Sequence, residues 1–430
     1  MKEIGIGLLG FGTIGAGVVE GLHNNENIIT ERLGVRLVLQ GVADLDVTSD
    51  RGVSVDSALL TTDAKSVVNN PAVDIVVELI GGTGIAKELV MEALALGKGV
   101  VTANKALLAK HGDEIFGLAR EKGVDIYFGA SVGGGIPIIR ALREGLVANR
   151  VKSILGILNG TCNYILTKME TEGLSFDSVL KEAQDKGYAE ADPALDIDGG
   201  DTAHKAAILA GLAYGGIPSL DKIHVEGIRN LKKADLDYAL GLGYRIKLLA
   251  VIRSGDDQVE VRIHPALLPL KHVLASVSGV YNAVMVDSDL AGNTLYYGQG
   301  AGRKPTASTV LGDVADIARN IASDSKHRLP ALASASQDFA LKPMDDIKTC
   351  YYLRVTLAEQ SVHLEKITAV FDAKSISTAS VVQKEAENGN ESSVIIVTEK
   401  ANERDVIDAI RNIEQLDFVK SKTVKLRIEE

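Results

Sequence analysis

Apolar residues along the first part of the chain fall in short continuous runs separated by helix-length segments. Ile4–Leu9 is one such run, Arg36–Val42 a second, Val73–Ile80 (VDIVVELI) a third and Gly99–Thr102 a fourth; AGVVEGLHNN follows the first with helical spacing. Near-continuous apolar strands alternating with helices predict a parallel sheet covered on both faces. The middle of the chain reads differently. VKSILGILNGTCNYILTKM passes from a strand into a helix, and DTAHKAAILAGLAYG reads as a helix whose residues after Lys205 are apolar. From Cys350 onward the order is strand (YYLRVTLA), helix (VHLEKITAVFDA), strand (ISTASVVQKE), strand (SSVIIVTEK), helix (ERDVIDAIRNIEQ) and strand (VKLRIEE), with NGN at Asn388–Asn390 as a hairpin turn.

Composition narrows the class. The chain has 430 residues, 46% hydrophobic and 24% charged, which is room for two or three globular domains. A net charge of −11 argues against nucleic acid, which needs a basic face. The two cysteines, Cys162 and Cys350, make neither a disulfide framework nor a zinc pattern, as expected of a reduced cytoplasm. No apolar run reaches membrane length free of charge, and no signal-peptide cleavage pattern follows the start. A cytoplasmic enzyme without membrane or nucleic-acid partners is the expectation.

Chemistry enters at Gly10-Phe11-Gly12-Thr13-Ile14-Gly15, a G-x-G-x-x-G between a strand and a helix. In that context the first glycine makes the tight turn. The second lets backbone approach a pyrophosphate, and the third lets helix pack on strand. The helix N-terminus then offers N–H groups to phosphate. The pattern predicts a Rossmann dinucleotide-binding domain. Asp44, at the end of the second strand, is placed to bind adenosine ribose hydroxyls and to favour NAD over NADP, although it lies farther beyond the glycines than the usual interval. The next basic residue is Arg51. Thr83, Asn104 and Lys105 follow later strands, at the end of the sheet where such folds bind ligands.

The densest chemistry lies in AQDKGYAEADPALDIDGGDTAHK, from Ala183 to Lys205. It holds Glu190, Asp192, Asp196, Asp198 and Asp201 in a turn-rich loop that leads into the Lys205 helix. Asp201 and Lys205, four apart, share a helix face. Such a pair on a surface is common and weak, but the apolar run after Lys205 predicts a buried helix. A lysine there, facing acids, suits binding of an ammonium-bearing substrate and proton transfer. Calcium fails on spacing: counting from Asp196, the EF-hand glycine position holds Asp201.

With GASVGGGIPII, GILNGTCNYIL, the A-x3-G-Y-A-x2-D-P-x2-D-I-x-G-x-D-x3-K pattern and YGQGAGRKPTASTVLGD (Tyr297–Asp313), the sequence resembles homoserine dehydrogenase across nearly its whole length. With the nucleotide-binding motif at the start of the sequence, the monofunctional form, without a preceding aspartate kinase, is the expectation. The resemblance implies NAD(P)-dependent interconversion of L-homoserine and L-aspartate 4-semialdehyde, in the route to threonine, isoleucine and methionine. By motif match Lys205 would be the general acid/base, and Lys105 would sit beside nicotinamide and substrate. Glu190 and Asp201 would hold the substrate with Asp196 in support. Gly187 and Gly302 match backbone positions near the cofactor, and Phe11, Thr13 and Ile14 line the phosphate loop. The implied α/β architecture is a Rossmann domain over 1–130 completed by 306–340, an α+β catalytic and dimerisation domain over 131–305, and a βαββαβ ACT-like regulatory domain over 350–430. A homodimer or higher homo-oligomer is expected.

Two departures from the family pattern stand out. The family usually has Phe-Glu-Ala-Ser-Val at a turn that binds a monovalent cation, typically sodium. Gly129 stands where the glutamate is expected, leaving the carbonyls of Gly129, Val132, Gly134 and Ile136 as ligands. ACT domains usually carry Asp-x-Pro-Gly before the first helix, and here those positions are Glu359, Gln360, Ser361 and Val362. A structural or oligomerising role therefore stands beside threonine feedback. His204 reads as a packing or surface residue, since adjacent helical positions point about 100° apart. Cys162 would suit a phosphorylating semialdehyde dehydrogenase only with a histidine base in a matching motif, and none is present. Two alternatives remain: another NAD(P)-dependent semialdehyde or amino-acid dehydrogenase, and a non-catalytic dinucleotide and amino-acid sensor.

Overall fold

The computed structural model describes residues 1–255, 258–332, 339–358, 364–385 and 392–430. The positions at 359–362 and the NGN turn at 388–390 lie outside the described residues, as does 333–338 of the linker.

The first six strands are β1 (Glu3–Leu9), β2 (Arg36–Ala43), β3 (Leu60–Thr61), β4 (Ile75–Glu78), β5 (Gly99–Thr102) and β6 (Ile126–Tyr127). They form a parallel sheet in the order β3-β2-β1-β4-β5-β6, the doubly wound order of dinucleotide-binding folds. Strand direction reverses its spread between β1 and β4, so the crevice opens at their carboxyl ends. The helix Thr13–Asn24 begins there. Ile4, Ile6, Leu8, Val42, Ile75, Val77 and Val101 pack below it with Val310, Val314 and Ile317 from the long helix Arg303–Ala322. The chain thus leaves this layer after Tyr127 and returns to it some 180 residues later in sequence numbering, as the apolar pattern of TASTVLGDVADI requires.

The remaining strands join one mixed sheet. They are β7 (Val151–Ile157), β8 (His224–Val225), β9 (Tyr244–Ser254), β10 (Gln258–Pro269), β11 (Tyr281–Ser288), β12 (Gly292–Gln299), β13 (Ala340–Leu341), β14 (Lys348–Leu357), β15 (Thr378–Glu385), β16 (Ser392–Thr398), β17 (Ala401–Asn402) and β18 (Val424–Ile428). The main path runs β12-β11-β7-β9-β10-β18-β14-β16-β15. Its last four members, with the helices Leu364–Ala373 and Glu403–Ile413, realise the strand–helix–strand–strand–helix–strand order read from the sequence. The sequence did not reveal that β18 also pairs with β10, so that the C-terminal unit continues the central sheet.

Buried charges mark that seam. Arg262 of β10 donates from Nη2 to Glu429 Oε1 at 2.7 Å, and Arg427 of β18 donates from Nε to Glu403 Oε2 at 2.8 Å. Arg262, Arg427, Glu403 and Glu429 are all within 1% of complete burial. Charges so far from water are tolerated only when paired and hydrogen-bonded. Among the described residues no helix is long and apolar enough to cross a membrane.

Candidate active site

The phosphate loop is shaped by steric limits on its backbone. Gly10 has φ +98°, and a Cβ there would lie 2.6 Å from the Leu79 carbonyl. A Cβ on Gly15 would lie 2.1 Å from Gly10 O. In front of Gly12, by contrast, no heavy atom lies within 4 Å of a Cβ position, so the loop presents open space at the start of a twelve-residue helix. A dinucleotide pyrophosphate fits that cradle. Asp44 comes back onto this loop: its Oδ2 accepts from Phe11 N at 2.5 Å and its Oδ1 from Asp46 N at 2.9 Å. Arg51 pairs with Asp46 at 2.9 Å.

Strand ends β4 and β5 are tied by Glu78, a buried acid absent from the sequence reading. Its Oε2 accepts from Thr102 Oγ1 at 2.6 Å, and its Oε1 accepts from the backbone of Ile80 and Gly81 at 2.9 and 3.1 Å. Asn104 caps the helix Lys105–Lys122 and donates to Gly82 O at 2.7 Å. Lys105 is thereby held at a helix start beside the crevice. Thr83 is half-buried in the neighbouring loop.

An open cleft of about 710 Å³ runs from this crevice into the second layer. Ile14, Lys105, Ala130, Gly134, Asn159, Gly160, Gly187, Asp196, Asp201, Lys205, Asn282 and Gly302 are among its lining residues. Nucleotide loop and acid cluster therefore share one space. Glu190 is exposed on the loop beside it and is not among the lining residues.

Asp201 is the hub. Its side chain is 6% exposed, at the first turn of the helix Gly200–Tyr214, whose Ala206–Ala210 are fully buried. Its Oδ2 accepts from Lys205 Nζ at 2.7 Å and from Asn159 Nδ2 at 2.8 Å, while Lys105 Nζ lies 3.2 Å from Oδ1. Burial pushes this carboxyl up, but the two lysine charges and the hydrogen bonds outweigh it and bring it down to about 2. Lys205 Nζ also donates to Leu158 O at 2.7 Å. Two of its three donor directions are thus fixed, and the third is available to a ligand oxygen in the cleft.

Asn159, which the sequence showed only as part of NGTCNY, bridges the acids. It donates to Asp196 Oδ1 as well as Asp201, both at 2.8 Å, and caps the helix Gly160–Glu172 by accepting from Cys162 N. Burial, then the nearby Asp201 charge, push the Asp196 carboxyl up. Cys162 is buried and its thiol donates to Asp196 O at 3.3 Å; burial pushes it well above the usual thiol range, the opposite of an activated nucleophile. His204 is held below its ordinary value by burial. Asn282 is a further cleft residue missed in the sequence. It is 1% exposed, with Oδ1 unpartnered among the described atoms, and lies where a Cβ on Gly300 would collide with it.

Gly129 explains itself sterically. Its N–H donates to Asp313 Oδ2 at 2.7 Å, and a Cβ would meet both Asp313 oxygens at 3.0 Å and Thr309 Cγ2 at 2.9 Å. A carboxyl group is still present at this turn, supplied by Asp313 from the helix Arg303–Ala322, and burial pushes it up to about 7. Of the four carbonyls expected to face a cation, that of Ile136 already accepts from Ile138 N at 2.8 Å.

Comparison with known proteins identifies the family. The family described as homoserine dehydrogenase matches residues 137–315, and the homoserine dehydrogenase NAD-binding domain matches residues 10–129. A homoserine dehydrogenase from Neisseria gonorrhoeae is 46% identical, covering 100% of this chain and 99% of its own. The crystal structure of one from Thiobacillus denitrificans, also 46% identical, superposes with a TM-score of 0.93 over 100% of this chain and 99% of that one. A hyperthermophilic archaeal homoserine dehydrogenase in complex with NADPH is 29% identical, with a TM-score of 0.64 over 73% of this chain and 97% of its own. The chain belongs to the homoserine dehydrogenase family, NAD(P)-dependent oxidoreductases acting on a CH–OH group.

Proposed function

We propose that the chain interconverts L-homoserine and L-aspartate 4-semialdehyde, with Lys205 as the proton-transfer group and Lys105 beside it. The observation that carries this is the pair of lysines held on the two oxygens of one buried carboxylate, in a cleft continuous with the glycine loop. When bound, the nicotinamide nucleotide accepts or supplies the hydride. The chain's own part is to bind, orient and manage the proton. Asp201 sets both ammonium groups in place. Lys205, tied to Asp201 and Leu158 O, offers its remaining donor direction to the reacting oxygen of the substrate, where it stabilises charge and exchanges a proton. Asp196, with Glu190 at the rim, is suited to the substrate ammonium. Gly10, Gly12, Thr13, Ile14 and Gly15 would hold the pyrophosphate, with Gly187 and Gly302 against the nucleotide from the facing wall. Asp44, engaged with the loop backbone and two residues from the Asp46–Arg51 pair, would favour NAD.

Further expectations belong to the same reading. The turn 129–136 would take a sodium ion through the carbonyls of Gly129, Val132, Gly134 and Ile136, with the Asp313 carboxyl group nearby in place of the missing glutamate. The C-terminal unit would be ACT-like, as its strand order β18-β14-β16-β15 supports. Exposed Leu295 and Tyr297 on the edge strand β12 support a homodimer through this sheet. Both cysteines are free, in keeping with a cytoplasmic setting. The test is spectrophotometric: L-homoserine with NAD or NADP, with sodium or potassium present. Reduction of one nucleotide supports the proposal; no reduction of either by folded protein overturns it.

A further inference from the structure

The turn between the two cleft acids is not self-supporting. Asp196 lies within the short helix Ala194–Ile197, and Gly199 caps the helix carrying Asp201 and Lys205. The intervening residues lie against Val225–Ile228. Ile228 N donates to Ile197 O at 2.8 Å, and Arg229 grips Asp198 with two hydrogen bonds of 3.0 and 2.8 Å. The backbones meet so closely that a Cβ on Gly227 would lie 2.2 Å from Ile197 O and 2.5 Å from Asp198 Cα. Gly199, at φ +89°, has Val225 Cγ1 2.8 Å from its own Cβ position. Any movement of Val225–Ile228 is therefore passed to the turn.

Val225–Ile228 is held by the pairing of β8 with β10, Val225 opposite Ile263, and by Glu226. Its backbone N donates to Ile263 O of β10 at 2.7 Å. Its carboxylate receives Arg427 bidentately, Nη1 to Oε2 at 3.0 Å and Nη2 to Oε1 at 2.9 Å, and His224 Nε2 lies 2.7 Å from Oε1. Arg427 belongs to β18, and its other face is fixed by Glu403. A planar two-point clamp of this kind defines orientation as well as energy.

We propose that Glu226 is a positioning residue for the substrate acids: gripped by Arg427 of the C-terminal sheet, it fixes Val225–Ile228 against the Ile197–Gly199 turn and so sets Asp196 and the first turn of the Asp201 helix. The proposal rests on the functional reading above and extends the substrate site into a unit that touches no substrate. The molecule supplies its own control. Arg354 of β14 and Asp235 of the helix Lys233–Gly241 make a second buried clamp between the same two parts, at 2.6 and 3.1 Å. That helix approaches Gly173, past the far end of the Asn159-capped helix, through Lys233.

The experiment compares full-length wild type with Glu226→Gln, Arg427→Lys and Asp235→Asn. It measures homoserine KM and kcat, nucleotide affinity by fluorescence titration, and thermal unfolding. Glu226→Gln is expected to raise homoserine KM about tenfold, the scale of one charge-assisted hydrogen bond, with nucleotide affinity unchanged. Arg427→Lys, which keeps the charge and loses the fork, is expected to give a smaller rise and carries the test if Glu226→Gln does not fold. Asp235→Asn is expected to lower the unfolding temperature and leave KM where it was. An unmoved KM in both Glu226→Gln and Arg427→Lys, or an equal rise in Asp235→Asn, overturns the proposal. Absence of any homoserine turnover by wild type overturns the functional reading and this proposal together; normal wild-type turnover with unmoved KM in the variants overturns this proposal alone.

Discussion

Around Gly10–Gly15 the chain gets its shape from backbone: tight turns, positive φ and close helix–strand contact over an apolar floor, with Asp44 tying the loop through the Phe11 N–H. Around Asp201, and along the seam between β10 and β18, it gets its shape from charged side chains taken out of water and matched in pairs. The first kind of site tolerates almost any ligand of the right charge pattern, because N–H groups and a helix start recognise phosphate generically. The second kind is specific and costly, since a buried charge that loses its partner cannot be rehydrated. A dehydrogenase can thus keep a common nucleotide half and place its selectivity in the other.

The contrast can be broken at either side. Lys205→Ala should have the largest effect, lowering turnover by about 10²–10⁴ while nucleotide binding persists, because only the charged half loses a proton-transfer group; parallel loss of nucleotide binding in a fluorescence titration would refute the division. Arg427→Met should cost about 3–5 kcal/mol in urea unfolding, since Glu226 and Glu403 are left without it. Lys247 sharpens the comparison. It is 1% exposed, donates to Asn163 Oδ1 and Val277 O, and burial first, then Arg245, bring it down to about 8 from 10.5. Between those two values the unfolded chain binds the proton and the folded chain does not, so this residue adds stability as pH rises from 8 to 10.5. Below pH 8 that contribution is absent. The slope should amount to about 3 kcal/mol, and Lys247→Met should flatten it in unfolding curves taken across that window. Gly15→Ala should be the mildest for catalysis per bound complex. It should cost about 1–3 kcal/mol through overpacking and appear as weaker nucleotide affinity with kcat nearly kept.

The same contrast decides what could be read in advance. The nucleotide loop is contiguous, so G-x-G-x-x-G between a strand and a helix announced it, and the apolar runs announced the strands under it. Asp201 and Lys205 were legible because they sit four apart on one helix. Glu78 and Asn159 were not, because the partners that matter lie far away in sequence and no local period signals them: Glu78 meets Thr102, and Asn159 meets Asp196 and Asp201; Asn282 was not, because only the close approach of Gly300 places it at the cleft. The six C-terminal elements were each visible from their own periodicity. Their union with the central sheet was not, since it depends on two residue pairings, Ala266 with Arg427 and Leu267 with Ile428. Gly129 looked like the loss of an acid, and only the packing of the helix Arg303–Ala322 shows where a carboxyl group re-enters.

The position of β18, between β10 on one side and β14 on the other, also bears on how the molecule assembles. Until that strand docks, two sheet edges lie open with unpaired N–H and C=O groups, each a template for another chain. The β10 pairing joins residues far apart in the chain, Ala266 with Arg427 and Leu267 with Ile428, and non-local pairing of this kind costs loop-closure entropy before its contacts reward it. The charged seam, with Arg262, Arg427, Glu403 and Glu429, then acts as a gatekeeper: like-sheet stacking through an edge that carries these groups would strand them unpaired.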